Sequence, residues 1–353
     1  MNPTDPMSPS RRQYLKLGMG LGALASLSAT TPLALAASMA GNAPVQEAAA
    51  RLQWRERMLT GFGTTLWLRA GDASADKADA ALEQSVQLLR RIESQMSLFD
   101  EHSAVSRLNR SGELRSPPQE LLQVLALSRK ISAGSGGSFD ITMQPLWELW
   151  TRARGESRLP TEKELSLARS RVNWAVLQAE RQHILLPAGM ALSLNGIAQG
   201  YAADALRAKM RAMGIRHAMI DTGETAVLGQ APKSMPWRFG IEDVHAPSPS
   251  QSASQPPSQA VSVPDGYALA TSSDAHTIFT DDRVHHHILD PRTGDSPGWW
   301  SSVSVMAKSA ALADGLTKVF FMLPPQRIAQ EAARWQVAVV LQDKSGRWSR
   351  AGG

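Results

Sequence analysis

Hydrophobic residues recur about every 3.6 positions in parts of the first half of this chain and about every second position in much of the second half. Residues 76–96 and 121–131 carry apolar side chains on one stripe, which predicts two amphipathic helices. Thr161 and Glu164 form a capping-box pattern that opens another helix. Further helices are predicted at residues 198–213 and 308–322. Strands are predicted within residues 54–70 and at 183–186, 191–194, 217–220, 226–228, 238–241, 267–271 and 302–306.

This mixture of helices and short strands predicts an α+β fold. The chain has 353 residues, 43% of them hydrophobic, which suffices for one large domain or two ordinary ones. We expect a single large domain over residues 54–346, preceded by a linker at 41–53. Residues 246–264 are almost entirely Ser, Pro, Gln, Ala and Val, a composition that buries too little apolar surface to fold. We therefore expect a flexible insertion there, between consecutive strands at 237–241 and 267–270.

Residues 1–40 have the pattern of an export signal. Arg11 and Arg12 precede a modestly apolar stretch at residues 17–37, and small residues follow it. This order predicts a twin-arginine signal that exports the folded protein to the periplasm and is cleaved between residues 37 and 41. A Sec signal and a transmembrane anchor are the alternatives, and Pro32 interrupts the run that an anchor would need. The chain has no cysteine, so neither disulfides nor a lipoprotein attachment site is expected.

The charge pattern argues against a nucleic-acid partner. The formal net charge is +5, and three cations against one Asp place +2 of it in residues 1–40, which leaves +3 for the rest. The remaining basic residues are dispersed, without the run of Lys and Arg that follows a phosphate backbone. We expect contact with a membrane only through the export machinery.

The densest set of chemical groups lies at residues 270–294, ATSSDAHTIFTDDRVHHHILDPRTG. His285 and His287 would share one face of a strand, with His286 on the other, because side chains alternate along a strand. A histidine run is also typical of a polar edge strand or of a metal-binding tract. No carboxylate or thiol lies at the short spacing of a usual zinc site.

Five further segments surround this one in a fixed order. They are MSLFDEHSAVSRLN (96–109), GGSFDITMQPLWELW (136–150), LSLNGIAQGYAADAL (192–206), IDTGETAVLG (220–229) and SVSVMAKSAALADGLTK (302–318). Together, over residues 55–345, they resemble the ApbE family, the FAD:protein FMN transferases. The resemblance implies an ApbE-like, T-fold-related domain of mixed sheets packed with helices.

The resemblance also implies an activity and its partners. Such a protein transfers FMN from FAD onto a Thr or Ser hydroxyl of a target redox protein and releases AMP. The implied target is a membrane or periplasmic electron-transfer subunit. Breaking a pyrophosphate requires that negative charge be balanced, and the implied cation is Mg²⁺.

The same resemblance implies roles for particular residues. His287 is implied as the general base and Asp314 as the acid that holds the metal, with a backbone oxygen near Gly196. For Met96 and Phe139, core packing is the alternative to flavin contact. The residues implied to bind FAD are Met96, Ser97, Phe139, Asp140, Gln199, Tyr201, Gly223, Glu224, Ser272, Ser273, Asp274 and His287.

Lys318 is the sharpest departure from the family pattern, because it stands where the family has a metal-binding Thr. Residues four apart share a helix face, so Lys318 is expected to direct its ammonium toward Asp314. A solvated helix ion pair is the plain alternative. Thr317, three residues from Asp314, is a second candidate for the missing hydroxyl.

Three more departures lie nearby. Ser193 replaces a carboxylate and Gln199 a charged residue, while Thr222 replaces a glycine in the turn that leads to Glu224. These changes leave open a second hypothesis, an FAD-binding relative without the metal site that serves as a carrier or accessory protein of a periplasmic redox complex. Metal binding by the histidine run is a third.

Overall fold

The structure is a computed structural model that describes residues 52–246, 258–275 and 277–352. The predicted signal at 1–40 and most of the predicted linker at 41–53 lie outside the described residues. The strands are β1 (Gln53–Gly61), β2 (Thr64–Asp72), β3 (Glu113–Arg115), β4 (Gln178–Ala179), β5 (His183–Leu185), β6 (His217–Asp221), β7 (Thr225–Leu228), β8 (Trp237–Glu242), β9 (Ser258–Val263), β10 (Ala268–Ser273), β11 (Trp300–Ala307), β12 (Ala338–Asp343) and β13 (Trp348–Ala351). The helices are α1 (Ala75–Met96), α2 (Ala104–Ser111), α3 (Gln119–Gly134), α4 (Gln144–Gly155), α5 (Glu162–Arg169), α6 (Ala198–Ala212), α7 (Ala310–Phe321) and α8 (Pro325–Trp335).

The predicted α+β class and single domain are confirmed. The helices expected at 76–96, 121–131, 198–213 and 308–322 are α1, α3, α6 and α7. The capping box is present at the start of α5, where Thr161 and Glu164 bond to each other's backbone N–H groups. Among the described helices, none combines the length and apolar character that a membrane crossing requires.

Eight strands form the main sheet in the order β1-β2-β6-β7-β10-β11-β12-β13. Every neighbouring pair in it is antiparallel. A smaller sheet has the order β3-β5-β4, and β8 pairs with β9 as a separate ribbon, again antiparallel. The sheets are therefore antiparallel, which corrects the expectation of mixed sheets.

Different elements cover the two faces of the main sheet. On β2, Leu66 and Leu68 pack into the core that includes α1, α6 and α7, because alternate side chains share a face. Trp67, between them, belongs to the cluster on the opposite face, where Trp237 of β8 and Val263 of β9 also pack. The ribbon thus closes one face with apolar side chains. The helices close the other and bring the candidate site residues together there.

Part of the predicted insertion at 246–264 forms a strand, and residues 247–257 of it lie outside the described residues. Residues 258–263 form β9, which pairs in register with β8. Val263 is 1% exposed and packs in the ribbon's cluster, so this end of the segment does bury apolar surface. The strands expected to be consecutive are separated by β9, and β10 pairs instead with β7 and β11.

Residues 191–194, predicted as a strand, form a single bridge from Ala191 to Met143. The backbone there finds its partners elsewhere. The Asn109 side chain accepts from the Leu192 N–H at 2.8 Å and donates to the Leu192 carbonyl at 2.9 Å. Ser193 N–H donates to the Ile141 carbonyl at 2.7 Å. Because a side chain and a loop satisfy these groups, the segment joins no sheet.

Candidate active site

The site is built where α6 and α7 cross at Gly200. A Cβ atom on Gly200 would lie 2.4 Å from the Ala310 carbonyl oxygen, so only glycine permits this approach. The close contact lets the Gly200 N–H donate to Asp314 Oδ2 at 3.3 Å. Asp314 is 0% exposed, and its carboxylate is therefore fixed at the crossing of the two helices.

Lys318 lies one turn after Asp314 and bonds to it. Its Nζ is 2.5 Å from Asp314 Oδ1 and 3.3 Å from the Asp314 carbonyl oxygen. The aliphatic part of Lys318 runs along Gly196, where a Cβ atom would lie 3.2 Å from Lys318 Cε and 3.5 Å from a Phe139 ring carbon. The predicted direction of the Lys318 ammonium is confirmed.

Thr317 turns toward the sheet. Its hydroxyl donates to the Asp314 carbonyl at 2.6 Å and accepts from the Ser272 hydroxyl at 2.7 Å. Thr317 is 0% exposed, so this pair of bonds ties α7 to β10 in the interior. The Thr317 hydroxyl therefore stabilises the packing of α7 on β10.

The turn at residues 221–224 faces the same helices. Gly223 has a φ of 99°, which favours glycine, and its N–H donates to Asp221 Oδ1 at 2.9 Å. Thr222 is outside the positive-φ region, so its side chain causes no backbone strain, and its hydroxyl donates to the Gln199 carbonyl at 2.7 Å. The Gln199 side chain covers Gly223, and its Nε2 is buried without a hydrogen-bond partner among the described residues.

Glu224 completes a group of buried acids around the crossing. Its Oε2 accepts from the Thr271 N–H at 3.0 Å. Burial raises its pKa well above the usual range, the negative charge of Asp314 raises it further, and the Lys318 ammonium opposes both. Burial likewise raises the pKa of Asp221 to about 6. Negative charge is therefore costly here, and Lys318 is the cation that compensates it.

These residues do not fit a divalent cation as they stand. One oxygen of Asp314 holds the Lys318 ammonium and the other accepts from Gly200. Thr317 is engaged with Ser272. Across the described ranges, no group of three or more His, Cys, Asp or Glu side chains is placed to hold a metal ion. The expected metal ligands were Gly196, Asp314, Thr317 and Lys318. Among their side chains, only Asp314 offers a carboxylate, and that carboxylate is already paired with the Lys318 ammonium.

The histidine run is a loop joined to Ile278 by a single bridge at His286, which corrects the predicted strand. The three rings have separate surroundings. His285 bonds to Asp295 at 2.6 Å and stacks on Trp150. His286 is 0% exposed and meets the Phe321 ring edge-on. The His287 Nδ1 lies 3.1 Å from the Thr277 carbonyl oxygen.

His286 should contribute a loss of stability in mild acid. Burial, and then the positive charge of Lys344, lower its pKa from 6.5 to about 4. As pH falls from 6.5 to about 4, the unfolded chain binds a proton that the folded ring resists, so stability is lost across that window. The loss is about 1.4 kcal/mol per pH unit, or roughly 3 kcal/mol in all.

His286→Leu should remove this dependence, measured by urea unfolding from about pH 4 to about pH 7. His102→Leu is the control, because that side chain is 84% exposed. Asp221 and Glu224 contribute the opposite slope, since their raised pKa values cost stability as pH rises, and they do so equally in wild type and in both variants. A His286→Leu protein with the wild-type pH dependence would contradict the prediction.

Asp274 is buried and pairs with two cations, Arg283 and Lys344, that the sequence analysis did not identify. Arg283 bonds to one of its oxygens and Lys344 to the other, at 2.7 Å for Lys344. Burial alone would raise its pKa, but the bonds and charges of Lys344 and Arg283 hold it below the usual value. Asp274 thus anchors the histidine loop, through Arg283, to the turn after β12.

Several other residues expected to bind FAD have contacts of their own. Asp140 accepts from the Thr142 hydroxyl and the Trp174 N–H, and Tyr201 donates to Gln123 on α3 at 2.6 Å. Met96 is fully buried in the core, and Ser97 bonds to the Phe99 N–H. Ser273 accepts from the Ala275 N–H. The residues that meet at the helix crossing are Phe139, Gly196, Gln199, Gly223, Glu224, Ser272, Asp314, Thr317 and Lys318.

Known proteins are similar to this chain in sequence and in fold. The profile described as the ApbE family matches residues 62–341. An FAD:protein FMN transferase of Vibrio cholerae is 29% identical over 72% of this chain and 77% of its own length, and one of Escherichia coli K12 is 26% identical over 80% and 82%. The apo flavinyl transferase ApbE of Pseudomonas stutzeri superposes with a TM-score of 0.71 at 25% identity, covering 85% of this chain and 95% of that one. Because the profile spans most of the sequence, the chain belongs to the ApbE family.

Proposed function

We propose that this protein is an enzyme that transfers FMN from FAD to a Thr or Ser hydroxyl of another protein and releases AMP. Relatives named FAD:protein FMN transferase match over most of their length. The observation that carries the proposal is the family match, which spans residues 62–341. The helix crossing with Asp314 and Lys318, and the histidine loop packed on the same helix through Phe321, mark where we place the reaction.

The reaction moves one phosphorus between two oxygens. The acceptor hydroxyl oxygen attacks the phosphorus that carries the flavin and forms a new P–O bond. The bond from that phosphorus to the bridging oxygen breaks, and this oxygen leaves with AMP. The hydroxyl proton must go to a base, and the charge on the phosphates must be balanced.

We propose His287 as that base. Its backbone N–H and its Nδ1 both lie against the Thr277 carbonyl, at 2.9 Å and 3.1 Å. A carbonyl oxygen only accepts, so in the neutral ring Nδ1 carries the hydrogen and Nε2 carries the lone pair. We assign proton acceptance to Nε2, and the Thr277 carbonyl holds the ring in this tautomer.

Mg²⁺ is the cation that the family resemblance implies, and the paired Asp314 and Lys318 do not fit it. The proposed steps therefore use the chain's own groups. The Lys318 ammonium bonds to Asp314 and the Gly223 N–H bonds to Asp221, so both donors lie beside the buried acids.

The decisive assay uses purified mature protein, FAD and an acceptor fragment that carries one Thr. A covalent FMN mass on the acceptor is expected, and a Thr→Val acceptor should remain unmodified. FAD should bind with a Kd on the order of micromolar. Binding without transfer would instead support an FAD carrier or accessory protein, and no binding at hundreds of micromolar would overturn both.

We also propose that the enzyme acts in the periplasm on a membrane or periplasmic electron-transfer subunit. The support is the Arg11-Arg12 pattern, which lies outside the described residues. Changing both arginines to Lys should leave the precursor in the cytoplasm, measured by cell fractionation. Normal export of that double variant would remove the twin-arginine interpretation.

A further inference from the structure

The Lys318 ammonium lies where a cation bound to Asp314 would have to lie. Its Nζ is 2.5 Å from Asp314 Oδ1, and the other carboxylate oxygen accepts from the Gly200 N–H. A divalent ion would have to displace this ammonium or approach beside a like charge. The carboxylate is 1% exposed, so few other directions of approach exist.

The ammonium is held but still reaches outward. The Lys318 side chain is 22% exposed, and its stem lies along Gly196, whose missing side chain makes room for it. An ammonium has three N–H groups, and its acceptors among the described residues are two oxygens of Asp314. The remaining donor is available to a ligand on the exposed side.

The buried acids explain why a fixed cation is needed there. Glu224 and Asp221 lie in the same interior region as Asp314, and Glu224 interacts electrostatically with both Asp314 and Lys318. A pyrophosphate approaching this region brings more negative charge. Without a local positive charge, phosphate oxygens and buried carboxylates would repel one another.

We propose that Lys318 is the resident cation of this site and donates to a nonbridging pyrophosphate oxygen of FAD, so that flavin binding needs no divalent metal. This inference rests on the proposed function for the identity of the ligand. Lys318 is on this view a catalytic residue, since the charge it balances grows when AMP leaves.

The test measures FAD affinity by fluorescence titration, with EDTA and separately with Mg²⁺. Wild type should bind FAD equally in both. Lys318→Thr should bind roughly 10- to 100-fold more weakly in EDTA, because a charge-assisted hydrogen bond is lost. Added Mg²⁺ should restore much of that affinity, since the substitution frees Asp314 and supplies a hydroxyl. Calorimetric titration of Mg²⁺ should show binding to the variant and not to wild type.

Two controls separate charge at the site from general effects. Lys308→Thr removes the same charge from an exposed position just before α7 and should bind FAD as wild type does. Lys318→Arg keeps the charge and should retain FAD binding in EDTA. Thermal unfolding of each variant shows whether a weaker affinity reflects a damaged fold.

Two results would overturn the inference. One is wild-type FAD binding that tightens at least 10-fold with Mg²⁺, and the other is Lys318→Thr binding in EDTA with wild-type affinity. Failure of the proposed function is seen separately, as FAD binding with no FMN on any acceptor. The binding readout therefore tests Lys318 whether or not transfer occurs.

Discussion

Replacing His287 with Asn should lower the rate of FMN transfer by about 10²–10⁴-fold and leave FAD affinity within about threefold. An Asn amide can still donate to the Thr277 carbonyl, which the His287 Nδ1 contacts at 3.1 Å, so the loop should keep its position. The amide offers no basic nitrogen for the acceptor proton. Single-turnover transfer followed by mass spectrometry measures the rate, and fluorescence titration measures the affinity.

His102→Asn is the matched control for this variant. Its side chain is 84% exposed, so both rate and affinity should equal those of wild type. If His287→Asn transferred FMN at the wild-type rate, the base would have to be another group. If it instead lost FAD affinity with an unchanged single-turnover rate, His287 would be a binding residue.

Helices and the central strands were predictable because their patterns are local and regular. The stripe that predicts a helix at 76–96 corresponds to α1, whose buried face packs on β1 and β2. The ribbon strand β9 was missed because a Ser- and Pro-rich neighbourhood outweighed the alternation of Val261 and Val263. Residues 191–194 looked like a strand, but the Asn109 side chain satisfies the backbone that a sheet would have paired.

The contacts of the candidate site were also predictable from sequence only where they are local. The contact of Lys318 with Asp314 followed from a spacing of four on a helix, which needs no tertiary knowledge. Asp274 and Lys344 are 70 residues apart, and no local pattern marks them as partners. The alternation argument failed for the histidine run because the loop around Thr280 and Asp282 satisfies its own backbone groups.

Gly200→Ala should destabilise the fold by about 3 kcal/mol or more, because the new carbon would meet backbone atoms that cannot rotate away. It would lie 2.4 Å from the Ala310 carbonyl oxygen and 2.8 Å from the Ala311 Cα. Relief requires α6 and α7 to separate, which also lengthens the bond from the Gly200 N–H to Asp314. Urea unfolding measures the stability, and FAD titration measures the effect on the site.

Gly155→Ala gives the comparison, because Gly155 ends α4 and a Cβ atom there meets nothing within 4 Å. That substitution should change the unfolding free energy by less than about 1 kcal/mol. Equal unfolding free energies for the two variants would mean that α6 and α7 do not cross as closely as Gly200 indicates. The conclusion that Gly200 fixes Asp314 would then also be wrong, because the Gly200 N–H reaches the carboxylate only if the two helices are in close contact. If Gly200→Ala is destabilised and also binds FAD more weakly, then the close contact of the two helices is needed to position the charged residues of the site.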